Sequence, residues 1–168
     1  MKNFYRSSLL VAFSLLISPN IQAQHRSDLT CDDVGKIILH AQTEFRTILG
    51  RFDSTVLDCN YYYSKVNFGI DSTTTLQSCK GDNGKFTLHF DTYIGNDEIQ
   101  AEIELKNLET TLDDCLPKAK IKEIKATSGY KRIIQYIDSK TQLTIYLDEV
   151  KNKREIKPLV TISVISLL

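Results

Sequence analysis

Apolar residues recur along this chain at two periods. From Val34, the positions Ile37, Ile38, Ala41, Phe45 and Ile48 follow at spacings of three and four, with Lys36, Gln42 and Arg46 opposite, which predicts an amphipathic helix. Thr30 suits its N-cap, Asp33 stands at the third helical position, Leu29 and Val34 are placed to form a hydrophobic staple, and Gly50 suits the C-terminal cap. A second helix is predicted through Ala101, Leu105, Leu108, Leu112 and Cys115, capped by Asp97 with Gln100 three residues on and ended by Pro117.

Between the helices the period changes to two. Beyond Arg51-Phe52-Asp53-Ser54, the Val-, Thr- and Tyr-rich run from Thr55 to Phe68 predicts one long strand with room for a bulge. Gly69-Ile70-Asp71-Ser72 turns it, and a second strand runs from Thr73 to Lys80. Lys80 to Lys85 carries two glycines and an Asn-Gly pair, residues that supply positive φ in hairpin turns. Phe86, Leu88 and Phe90 then alternate with Thr87, His89 and Asp91 as a third strand.

After Pro117, residues Lys118 to Ser128 form a charged connector holding Ile121 and Ile124, a loop or a weakly marked strand. Three strands follow: Tyr130 to Ile137, Gln142 to Val150 and Ile156 to Leu167, with a turn at Asp138-Ser139-Lys140 and a charged loop from Lys151 to Glu155. In the middle one Leu143, Ile145 and Leu147 face inward and Thr144, Tyr146 and Asp148 outward. The expected order is α-β-β-β-α-β-β-β. Two helices cannot cover both faces of such a sheet, so the expected fold is α+β: an antiparallel sheet of about five to six strands with both helices on one face. No internal repeat is visible in the sequence.

The N-terminus sets the compartment. Lys2 and Arg6 precede an apolar run from Leu9 to Ile17, then Ser18-Pro19 and a closing Ile21-Gln22-Ala23, the pattern of a signal peptide over residues 1–23. The apolar core is shorter than the ~20 residues a membrane-spanning helix needs, and no later stretch is apolar at that length, so the expected product is an exported domain of residues 24–168 without a membrane anchor, periplasmic or extracellular. The whole chain carries 21 basic and 21 acidic residues, and removing Lys2 and Arg6 leaves 19 against 21. That balance lacks the basic excess needed to bind nucleic acid.

An exported chain with Cys31, Cys59, Cys79 and Cys115 is expected to be disulfide-bonded. Threading helix and strands up and down in turn, at ~1.5 Å and ~3.3 Å per residue, brings Cys31 level with Cys59 and Cys79 level with Cys115. Zinc is the weaker reading, because separations of 28, 20 and 36 residues contain no close pair.

Catalytic signatures are absent: the chain has no Gly-x-Ser-x-Gly, Ser-x-x-Lys, His-Glu-x-x-His or phosphate-cradling glycine loop, and no cofactor is implied. His40 lies inside the first helical pattern, where a packed histidine is the simpler reading, and His25 follows Gln24, the expected first residue, so it cannot form a copper brace. His89 and Asp91 share one strand face and could hold a metal or a substrate proton, but two residues make a weak metal site. Asp32-Asp33 fit a helix N-terminus and Asp113-Asp114 a solvated face. The run Tyr61-Tyr62-Tyr63 must place members on both sheet faces, and with Tyr146 it forms a candidate binding surface.

The order helix, three strands, helix, further strands over residues 30 to 150 resembles the small α+β chaperones of type III secretion, with no shared motif; the resemblance implies a surface that holds partner segments. The expected function is non-catalytic binding of another protein through the sheet face or edge. The alternatives are a carrier of a small apolar ligand between helices and sheet, and a hydrolase using His89 and Asp91.

Overall fold

The computed structural model describes residues 25–26, 29–69, 74–124, 130–152 and 155–168. The expected signal peptide, the new terminus at Gln24 and the turn residues 70–72 lie outside them. Among the described residues, no helix is long and apolar enough to cross a membrane.

The fold is α+β, with two helices and one antiparallel sheet. After a two-residue strand β1 (His25–Arg26) come α1 (Cys31–Ala41), β2 (Leu49–Val56), β3 (Cys59–Ser64), β4 (Thr75–Cys79), β5 (Thr87–Ile94), α2 (Glu98–Cys115), β6 (Lys120–Ile124), β7 (Tyr130–Ile137), β8 (Thr141–Asn152) and β9 (Glu155–Ser166). Eight strands pair in the order β2-β3-β4-β5-β9-β8-β7-β6, and β1 adds to β5 in line with β4. The expected five to six strands are therefore too few, and each helix is followed by four strands rather than three.

This order contains a repeat that the residues do not advertise. Each half is a helix followed by a four-stranded meander, and the last strands, β5 and β9, pair antiparallel at the centre. In the strand order, β2, β3 and β4 on one side of that junction correspond to β6, β7 and β8 on the other, and α1 corresponds to α2.

The two helices begin where their caps dictate. Thr30 accepts from the Asp33 amide while the Asp33 carboxylate takes the Thr30 N–H, a reciprocal box that satisfies two end donors. The Asp97 carboxylate accepts from the amides of Ile99 and Gln100. α1 stops at Ala41 rather than at Gly50: Glu44 and Phe45 take φ of 50° and 59°, and the fully buried Phe45 ring turns into the core there. Gly50 instead sits in β2, where a Cβ would lie 2.4 Å from the Tyr63 carbonyl oxygen.

Val34, Ile37 and Ala41 of α1, with Ala101, Leu105, Leu108 and Leu112 of α2, pack onto one face formed by Leu76, Leu88, Phe90, Ile134, Tyr136, Leu143, Ile145, Leu147, Val160, Ile162 and Val164. Arg132 on β7 reaches Glu109 of α2 at 2.6 Å and Glu123 of β6 at 3.1 Å, tying the second helix to its own meander.

The cysteine pairing differs from the threaded expectation. The bridges are Cys31–Cys115 and Cys59–Cys79, and no free cysteine remains. The extra hairpin explains the difference. The run read as one long strand is β2, a two-residue turn at Leu57-Asp58, and β3, so every later element runs opposite to the direction assumed. Cys59 opens β3 and Cys79 ends the neighbouring β4, directly opposite it. β5 then leaves that end and α2 returns, so Cys115 comes back to the level of Cys31. Layer, not level, decides the pairs: helix end to helix end, strand to strand.

Candidate functional site

With both helices of the described residues on one side, strict alternation sends a second set of side chains to the opposite, helix-free face. From β4 come Thr75 and Gln77, from β5 His89 and Asp91, from β9 Thr161 and Ser163, and from β8 Thr144 and Tyr146, which the register places side by side across the sheet centre. Ile133 of β7 lies beside Tyr146, and the Tyr130 ring meets the Tyr146 ring edge-on at 5.1 Å. The middle of this face therefore carries ionisable, hydroxyl and aromatic groups over an apolar layer.

Its electrostatics follow from partial burial. The Thr161 hydroxyl donates to the Asp91 carboxylate at 2.6 Å. Burial nevertheless holds the Asp91 carboxyl above the usual carboxylate range, the Thr161 bond opposing the shift. Burial also pushes the Tyr146 phenol up, with Tyr130 and Asp91 adding to the effect. The His89 ring is pulled down to about 4 by burial, and its Nε2 is buried with no hydrogen-bond partner among the described residues. His89 is thus a neutral imidazole at neutral pH. The Asp91 hydrogen bond goes to Thr161, and among the described residues no group of three His, Cys, Asp or Glu could hold a metal ion.

This geometry predicts a pH dependence. The unfolded His89 titrates near ~6.5 and the folded one near 4, so the unfolded chain binds the proton first as pH falls. Stability is fully present above ~6.5 and is lost on acidification toward 4, by about 3 kcal/mol at most from this residue. Asp91 works the other way, since the folded state holds its proton more tightly. Chemical denaturation of His89→Gln at pH 7 and pH 4.5 should show a smaller difference than wild type; an unchanged difference would show that His89 is not desolvated.

The tyrosine run splits between faces. Tyr61 and Tyr63 lie on the helix-free side, Tyr61 opposite Gln77 and Tyr63 opposite Thr75. The Arg51 guanidinium sits 5.2 Å from the Tyr63 ring centre, and hydrogen bonds from Tyr63 and Ser54 hold the Asp53 carboxyl below its usual range. Tyr62 turns to the helix side, edge-on to Phe52 at 5.6 Å and to buried Phe86 at 5.7 Å. Tyr146 lies on the helix-free face as alternation requires, but is half-buried. Tyr130, Thr144, Thr161 and Ser163 join the face without having been singled out as candidates. Carrying the strand alternation across a β5–β9 pairing would have found them.

The histidine of α1, His40, lies at hydrogen-bond distance from the Thr47 hydroxyl, 3.1 Å, and its ring is 6.3 Å from that of Phe68. No protein family, no curated protein and no solved structure matches this chain.

Proposed function

We propose that this chain is an exported, non-catalytic, disulfide-bonded domain that binds another protein through the helix-free face of its sheet, in the periplasm or outside the cell. The observation that carries this reading is the one-sided placement of both helices, which leaves Tyr61, Tyr63, Tyr130 and Tyr146 on the opposite face. Tyrosine offers large contact area and a polar tip at low entropic cost, which is why it concentrates at binding surfaces. Two disulfides fit an oxidising compartment.

The sheet edges suit partner binding less well than the face. β6 presents Lys120, Lys122 and Glu123, and β2 is broken by two register shifts, both devices that blunt edge pairing. The carrier alternative has less support, because Phe45, Leu105, Leu112, Phe90, Ile145 and Ile162, all essentially fully buried, occupy the space between helices and sheet. Holding an extended segment of a client protein, in the manner of a secretion chaperone, is one form this binding can take.

The test starts from a pull-down with the mature chain from its own cell envelope and medium. Tyr130→Ala is the variant to use: Tyr130 is 39% exposed, and losing its edge-on contact with Tyr146 should cost about 0.5–1.5 kcal/mol, small beside a core truncation. Capture should fall sharply with Tyr130→Ala while the melting temperature falls by only a few degrees. Retained capture, together with uptake of an apolar dye that is lost when Ala101→Leu fills the helix–sheet layer, would reject the reading and favour the carrier.

A further inference from the structure

Among the described residues, Leu57 is the exposed apolar side chain least accounted for by the fold. It is the first residue of a two-residue hairpin loop, it takes φ +53°, and it is 94% exposed. That loop position favours glycine or asparagine, because a Cβ crowds the backbone at positive φ. A branched apolar residue therefore strains the turn, and full exposure gives nothing back in burial. Such an outlier points toward function rather than folding.

The tip is also unusually well anchored. The pair Val56–Cys59 closes it, and the Cys59–Cys79 bridge ties that last rung to β4. The adjacent β4–β5 turn packs alongside: the Lys80 amide donates to the Asp58 carbonyl at 2.8 Å, and the Asp82 carboxylate accepts from the Cys79 amide at 2.9 Å. Arg46 holds the far side of that turn through the Gly84 carbonyl at 3.4 Å.

We propose that Leu57 is a docking knob, presented by this disulfide-braced hairpin for insertion into an apolar pocket on a partner protein. The inference deepens the protein-binding reading and rests on it. A pre-ordered tip loses little freedom on association, so the area it buries is converted to affinity with less entropic opposition. Val56, 53% exposed, precedes it in the same hairpin, and the exposed Asp58, Lys80 and Asp82 of the two hydrogen-bonded turns carry both signs of charge. An apolar centre with a mixed polar rim matches the centre-and-ring pattern of protein interfaces. A bilayer is the poorer occupant, because the rim lacks the basic excess that draws a chain to anionic lipid.

The experiment places a photo-activatable leucine analogue at position 57 of the full mature chain, and in a separate sample at Leu39, 61% exposed on α1, as the control. Both are irradiated with the cell envelope and medium, the polypeptide joined to position 57 is identified by peptide mass spectrometry, and the purified polypeptide is titrated. Position 57 should give one adduct and position 39 none. Leu57→Asn should weaken the purified partner roughly 30-fold while raising the melting temperature by roughly 2–4 °C as strain is relieved. Unchanged affinity for Leu57→Asn would overturn the inference, as would a fall in melting temperature, which would make the side chain structural. Co-sedimentation with phosphatidylglycerol vesicles that Leu57→Asn abolishes would assign the tip to lipid and overturn it too. No adduct at 57 with capture still lost in Tyr130→Ala would remove the knob and leave the sheet face standing; full binding by both variants would remove both.

Discussion

Replacing Cys31 and Cys115 together by serine should lower the thermal midpoint by roughly 10–20 °C, more than the same replacement at Cys59 and Cys79. The Cys31–Cys115 bridge closes a separation of 84 residues, against 20 for the other. In the chain-entropy treatment these correspond to about 4.5 and about 3 kcal/mol. The gap widens for a structural reason. Cys59 and Cys79 face each other across a ladder that already holds β3 to β4, whereas Cys31 and Cys115 join the start of one half to the helix of the other. Circular-dichroism melts of both double variants check this, and a larger loss from the Cys59/Cys79 pair would mean that the two halves do not depend on their covalent tie.

The second large effect is a cavity at the sheet centre. Ile145 is fully buried on β8 between Ile134 of β7 and Ile162 of β9, beneath α2, where neighbouring strands leave little room to collapse. Ile145→Ala should cost about 2–5 kcal/mol in urea denaturation. Ile99→Ala, at a site 70% exposed on the outer side of α2, should stay within ~0.5 kcal/mol. Equal losses at the two sites would place the helices on the wrong face.

Several elements were legible because local chemistry decides them. The capping box of Thr30 and Asp33, the Asp97 cap, the glycine turn before β5 and the alternation of Leu143, Ile145 and Leu147 each act over a few residues, and each stands where the sequence puts it. The β2–β3 hairpin was not legible, since Leu57-Asp58 is not a turn pair by residue type and Arg51 to Ser54 carries no clean alternation. Missing one hairpin inverted the direction of the elements after it, and the cysteine pairs followed. The end of α1 was hidden for another reason: burial of Phe45 overrides its dislike of positive φ. β6 reads as a charged connector because an edge strand needs few apolar residues, and four of its five are exposed.

The candidate face was half legible. Alternation placed Tyr146, His89 and Asp91 on the same side as far as each strand goes, but their convergence depends on β5 meeting β9, a pairing between chain segments about 70 residues apart. Only long-range order brings Thr161 against Asp91 and decides which members of the tyrosine run, already divided by alternation, face the helices.

The most direct test of the binding face is a titration of the purified partner against wild type, Tyr130→Ala and Ile99→Ala. Tyr130→Ala should weaken binding roughly 30-fold and Ile99→Ala by less than about twofold, because only the first lies on the helix-free side. Loss of affinity with Ile99→Ala and none with Tyr130→Ala would contradict the account and move the binding surface to the helices.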